Sequence, residues 1–331
     1  MKRLLIAVIA AATLWAAYWG VGAFGVKSAF TRWFDDRRSA GWVAETSDLS
    51  VAGFPNRFDT TMTDLILADP ASGWAWEAPF FQIFALSYRP NHVIAVWPEK
   101  QLIATPLAKY EVSSARMQAS IVTEGTDLAL ARSNLAADTL QITGPSGDGT
   151  NMTALRVGLL REGESNRYRF ALTADDLTPA RAFRALVDQE GTLPRTLSAF
   201  SADITMGFDA PWDRHALEQA RPQPTALGVK LVEAKWGELE LALAGDLEIN
   251  AEGWANGKLT VKARNWREIV EMSVAAGVLR KGLAETLTGG LQMVAGMSGN
   301  PNTLDLPLTF YGETLYFGPI PLGPAPNFGL R

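Results

Sequence analysis

Residues 239–249 read Leu-Glu-Leu-Ala-Leu-Ala-Gly-Asp-Leu-Glu-Ile. Successive side chains of an extended strand point to opposite faces. Leu239, Leu241, Leu243, Leu247 and Ile249 therefore share one side, with Glu240, Asp246 and Glu248 on the other. The same period of two runs through Tyr168, Phe170 and Leu172, and through Phe200, Ala202, Ile204, Met206 and Phe208. It returns in Leu259, Val261 and Ala263, and again in Leu304, Leu306, Leu308 and Phe310. Many such strands joined by short turns predict a mainly β (α+β) fold with a large, curved antiparallel sheet, apolar on one face. Turn signals sit between the runs at Glu162-Gly163-Glu164-Ser165 and Gly312-Glu313. Asn256-Gly257 reads as a two-residue hairpin, with Gly253 as a competing corner.

Helices are few and read as covers for the sheet. Thr178-Pro179 predicts one start, a cap followed by proline in the first turn, with Phe183, Leu186 and Val187 as its apolar stripe. Asn265 with Glu268 three residues on predicts another, burying Ile269, Val270, Val274 and Val278. A third carries Leu283, Leu287, Leu291 and Val294, so helices are expected near 265–297. The tail, with Pro319, Pro321, Pro324 and Pro326, is not expected to continue a central strand.

At the other end, Leu4 to Val26 holds no charged side chain and is fenced by Lys2, Arg3 and Lys27. As a helix this run would be about 34 Å long, enough to cross a hydrocarbon core of roughly 30 Å. A signal sequence would use a shorter run, and Val21-Gly22-Ala23 is its only cleavage signal. The length, and the aromatics Trp15, Tyr18 and Trp19, favour an uncleaved transmembrane anchor. Residues 1–27 are thus read as anchor or signal sequence, and 28–46 as a juxtamembrane helix carrying Phe30, Trp33 and Phe34. Two β-rich parts follow, 47–195 and 196–331. Lysines and arginines stand on both sides of the span, so charge does not set its orientation. The short leading tail favours a single-pass protein of the inner (cytoplasmic) membrane, with most of the chain periplasmic.

Composition narrows the chemistry. Three of the 30 Lys and Arg lie in residues 1–27, leaving 27 basic against 35 acidic side chains, a balance of −8. Without a basic run, the chain is not expected to bind nucleic acid. The absence of cysteine removes disulfides and thiolate metal sites. His92 and His215 are the two histidines, with no metal-ligand spacing, and there is no Gly-x-Ser-x-Gly elbow. Gly253-Trp254-Ala255-Asn256-Gly257-Lys258-Leu259 only imitates a phosphate loop: it is one residue short, lacks the hydroxyl residue after lysine and sits between strands. The carboxylates at 238, 240, 246 and 248 have the spacing of a solvated sheet face. No catalytic residue, metal site or cofactor is expected.

One block departs from this pattern. Between Gly73 and Pro98 stand Trp74, Trp76, Phe80, Phe81, Phe84, Tyr88 and Trp97. Such a strand lies either in the middle of the core or with one face on an apolar cavity. Phe81, Phe84, Leu86, Ile94 and Trp97 are the candidate lining of that cavity.

The run Val51-Ala52-Gly53-Phe54-Pro55-Asn56-Arg57-Phe58, followed by this aromatic block with Tyr88-Arg89-Pro90, resembles the bacterial family called domain of unknown function 2125, which has no assigned activity. The strands of 237–265, the two helices after them and the closing 304–321 segment are similar in pattern to AsmA-like envelope proteins. That likeness implies an inner-membrane anchor and a groove-forming sheet, with a role in phospholipid movement, and transfers no active-site residue. The expectation is a non-enzymatic envelope protein that binds or transfers lipid or another amphiphile. The alternative is a structural or assembly module docking onto another envelope protein.

Overall fold

A computed structural model describes residues 1–331 except Glu164, Gln219, Ala220, Val278, Ser298, Gly299 and Arg331. For Leu217, Glu218, Leu283, Thr286, Leu287, Met293, Val294 and Met297 it describes the backbone alone. About 52% of the chain is strand and 22% helix, and the pairings are antiparallel. The chain forms two compact units, one of Met1–Thr123 and Ser133–Gly147, the other of Glu124–Arg132 and Asp148–Arg331. Residues 148–195 therefore go with the second unit, whereas the sequence pattern groups them with the first part. Pairing of their strands with the one that follows explains the difference.

The first unit opens with one uninterrupted helix, α1 (Lys2–Ser39). Its strands are β1 (Val43–Glu45), β2 (Asp48–Ala52), β3 (Arg57–Asp69), β4 (Trp74–Leu86), β5 (Arg89–Trp97), β6 (Lys100–Ala104), β7 (Lys109–Ser113), and β8 (Arg116–Glu124) and β9 (Ala129–Thr143) apart from their residues 124 and 129–132. The β3–β4 hairpin is the spine. Along β3, β2 takes Asp59–Thr63 and β1 takes Ile66–Ala68. Along β4, β5 takes Gln82–Leu86 and β6 takes Ala75–Glu77.

The segments read as anchor and juxtamembrane helix are continuous, and from Trp15 onward the helix lies across β1, β2 and this hairpin. The inward stripe runs Trp19, Gly22, Ala23, Val26, Phe30 and Phe34, the three- and four-residue spacing of one helix face. Phe34 is 2% exposed, within a cluster of Ala44, Leu49, Met62 and Leu65. Gly22 is required here: a Cβ at that position would run into the ring of the buried Phe58.

In the second unit, β10 (Gly149–Arg161), β11 (Arg167–Asp175), β12 (Ala199–Phe208), β13 (Pro224–Trp236), β14 (Leu239–Ile249), β15 (Ala255–Arg264), β16 (Thr303–Tyr311), β17 (Thr314–Phe317) and β18 (Ile320–Pro324) follow as an antiparallel meander. The helices are α2 (Arg181–Val187), α3 (Arg214–Glu218), α4 (Trp266–Ala275) and α5 (Lys281–Met297). The alternating stripes form the core as their period requires, with Leu227, Val229, Leu247, Ile249, Leu259 and Phe310 buried together. Helices cover the neighbouring stretch, where Trp266, Leu291 and Ala295 bury Ala263 and Leu304. Of the apolar positions read for α5, Leu291 is buried. Val278 and the side chains of Leu283, Leu287 and Val294 lie outside the described residues.

Three local readings are corrected. Asn265 precedes α4 but its side chain does not cap it, donating instead to the Glu238 carbonyl at 3.0 Å. Asn256 and Gly257 do not form a turn; they pair with Glu248 and Leu247 inside β15, and the corner is Asn250–Trp254. Gly257 serves instead a close backbone approach, since a Cβ there would strike the Asp246 carbonyl oxygen. Helix α2 begins at Arg181, and its first amides donate to the distant Asp148 carboxylate at 3.0 and 2.7 Å rather than to Thr178. Those two bonds hold the Asp148 pKa below the usual carboxylate range.

Two outcomes test this packing. Gly22→Leu is expected to lower denaturant stability by about 1–3 kcal/mol through overpacking against Phe58. Gly25→Leu, whose Cβ would meet nothing within 4 Å, is expected to leave it unchanged. The second concerns Asp203, which receives Arg169 at 2.6 Å and Lys230 at 3.3 Å. The Arg169 hydrogen bonds lead in lowering its pKa to about 2, against an unfolded value of about 3.9. The native state therefore favours the carboxylate, and the resulting stability is complete above the unfolded value and lost as pH falls through the folded one. In pH-resolved unfolding, Asp203→Asn should be less stable than the parent at neutral pH, with the difference closing from about pH 4 towards pH 2.

Candidate functional site

The alternation of β3 changes phase partway along. Phe58, Thr60 and Met62 are buried, and then Leu65, three residues on, takes the inner side. The switch falls at Asp64, which has a φ of 49°, opposite Pro79 of β4. A residue in the left-handed region turns the strand, and proline offers no amide to hold the ladder flat. Before Pro79 the inward residues of β4 are Trp76 and Ala78; after it they are Phe81, Ile83 and Ala85. This phase change sets Trp76 and Phe81 beside each other, ring centroids 5.2 Å apart.

Above this kink the C-terminal part of α1 leaves a cavity of about 400 Å³. The helix contributes Ala29, Phe30, Trp33 and Phe34. From the sheet come Met62, Leu65 and Leu67 of β3 and Trp76, Phe81 and Ile83 of β4. No lining residue is charged. The indole N–H of Trp76 donates to Gln101 Oε1 at 2.7 Å, so it is not directed at a ligand. Nearby, the Arg38 guanidinium stands 6.0 Å from the Phe34 ring, held by Asp35 at 2.6 Å and by the Ala44 carbonyl at 2.8 Å. Such a site can shelter hydrocarbon, and its lining offers no group for acid–base or nucleophilic chemistry.

The five lining residues read from the sequence divide between two faces. Phe81 lines the cavity, and Trp97 packs on it at 5.2 Å. Phe84 pairs with Ile94, and alternation places both, with Leu86, on the other side of the sheet. The lining from α1 and β3 escaped the sequence reading, because it depends on the helix lying down on the sheet. The signal was Phe30, Trp33 and Phe34 at helical spacing.

Elsewhere, a space of about 890 Å³ between α2, α4 and the β13–β14 turn is rimmed by Asp188, Glu190, Glu238, Glu268 and Glu271. Beneath α2 and α4 lies an apolar hollow of about 220 Å³ that includes Leu239 and Leu241. His92 Nε2 is 2.9 Å from Ser120 Oγ, and His215 Nε2 is 3.9 Å from an Asp127 carboxylate oxygen. Among the described residues, no three His, Asp or Glu side chains group as metal ligands.

Helix α1 is long and apolar enough to cross a membrane. No curated protein and no solved structure matches the chain. Residues 19–326, from the Trp19 contact to the C-terminal tail, match the bacterial family described as uncharacterized protein conserved in bacteria (DUF2125), and the chain belongs to that family.

Proposed function

We propose that this protein is a non-enzymatic carrier or binder of lipid or another amphiphile, held in the inner membrane by α1 with its two β-rich units in the periplasm, and that it serves envelope maintenance. The observation that carries this reading is the apolar cavity between α1 and the β3–β4 hairpin. Its volume falls at the lower end of the range for small-molecule sites, roughly 300–1,000 Å³. It stands on the same helix that would enter the bilayer, about 16 Å further along the axis from Trp19 to Phe30. An acyl chain leaving the membrane would find its next apolar surface there. Transfer of each methylene from water contributes about 0.8 kcal/mol, so several suffice for binding without a catalytic group.

The test uses the full chain in phospholipid vesicles with a diazirine-bearing photoactivatable fatty acid, followed by peptide mapping. Adducts are expected on the segments holding Trp33, Met62 and Phe81. Ala29→Trp fills the cavity from an exposed helical position. Excluding two or three methylenes should lower the adduct yield about tenfold or more. Adducts absent from these segments, or undiminished in the variant, would overturn the reading.

A further inference from the structure

The end of the first unit nearest the N-terminal half of α1 is built unlike the rest of its surface. Trp15 Nε1 donates to the Pro55 carbonyl at 3.0 Å, Trp19 Nε1 to the Arg57 carbonyl at 2.7 Å, and Tyr18 Oη to the Ser87 carbonyl at 2.5 Å. These bonds fix the 53–57 loop and the β4–β5 turn level with residues 15–19 of the helix. Phe54 stacks edge-on against Trp19, centroids 5.4 Å apart, yet stays 60% exposed. Tyr88, beside Ser87, is 58% exposed. Arg57 and Arg89 are exposed at the same end, Arg57 paired with Asp59 at 2.6 Å.

We infer that this aromatic end of the first unit seats in the bilayer that α1 enters, at and just below its headgroup layer. The inference rests on the anchored reading of α1 and does not depend on the cavity.

Length makes the case. Below the clamp, residues 4–14 are exposed on all sides, and as a helix they cover only about 16 Å. A hydrocarbon core of roughly 30 Å needs about 20 residues, from the Lys2–Arg3 boundary to near Ala23. The helix can supply that length only by bringing Trp15, Tyr18 and Trp19 below the membrane surface, and the clamped loops go with them. Val21 and Phe24, outward-facing and exposed, extend the apolar face to the same level.

The chemistry of the tip suits that position. Aromatic rings with a polar edge favour the interface, and arginines reach phosphates from it. Two backbone amides of these loops are bonded within the tip, which suits a water-poor layer: the Ser87 amide donates to Asn56 O at 2.8 Å and the Arg57 amide to Gly53 O at 2.9 Å.

A chain without cysteine permits single-site labelling with no background. Phe54→Cys, Tyr88→Cys and Leu107→Cys would each carry an NBD fluorophore in the full chain. Leu107 is 93% exposed in the β6–β7 turn, beyond the opposite end of β4 from Leu86. The proteins are reconstituted in vesicles of phosphatidylethanolamine and phosphatidylglycerol and floated on a gradient. Expected are bright, blue-shifted spectra at 54 and 88 that doxyl-labelled lipid quenches, with a water-like, unquenched probe at 107. Protein that floats with the vesicles while probes at 54 and 88 match the one at 107 would overturn the seating. Protein that fails to float would overturn the anchored reading beneath it.

Discussion

The packing of one face of α1 on the β3–β4 hairpin is the contact on which the first unit depends. Remove it, and Met62, Leu65, Phe81 and Ile83 face water. Burial of such side chains contributes about 1.5–3 kcal/mol each. The helix can approach because Gly22 has no side chain over Phe58, and its far end is held by Phe34 in the core. Helix α1 is thus a structural member of the unit as well as an apolar segment long enough to span a membrane. That double duty places a cavity and a membrane-length helix on one continuous element.

The second unit solves the same problem differently. Its apolar face is closed by α4 and α5 at one end, where the Trp266 indole is fixed to Pro301 O at 3.0 Å. At the other, the tail folds back: Phe328 N donates to Gly253 O at 2.8 Å, and Asn327 Nδ2 to Glu252 O at 2.7 Å. Among the described residues, the apolar hollow beside the leucine-rich strands is about 220 Å³, against about 400 Å³ under α1. The larger one stands where the Ala29, Phe30, Trp33 and Phe34 part of α1 crosses a kinked hairpin.

Strands β11, β12, β14, β15 and β16 of the second unit were legible because each alternates with a period of two, whereas β13, whose register shifts between Val229 and Val232, was not read. The first unit was legible in composition and not in geometry. Asp64 and Pro79 reverse the inward face of β3 and β4 at a single step, so residues two apart in a run need not share a side across it. Of the five positions read as lining, Phe81 lies on the cavity face with Trp97 packed on it, and Phe84, Leu86 and Ile94, equally apolar, lie on the other face. The cap of α2 was missed because its donor groups meet Asp148, more than thirty positions away, and pattern reading sees only neighbours. The helix itself was read as membrane plus stalk, since its apolar run ends at Lys27; the spacing of Phe30, Trp33 and Phe34 marks a packing face without identifying β3 as what lies beneath it.

Amide hydrogen exchange on the full chain in vesicles tests the central contact most directly, at residues 28–38. This stretch lies beyond the apolar run, so slow exchange there reports packing on the hairpin rather than burial in a bilayer core. The account predicts that these amides exchange as slowly as those of β3 and β4, opening with the first unit as a whole. Exchange at the rate of an exposed, fraying helix, while β3 and β4 stay protected, would contradict it.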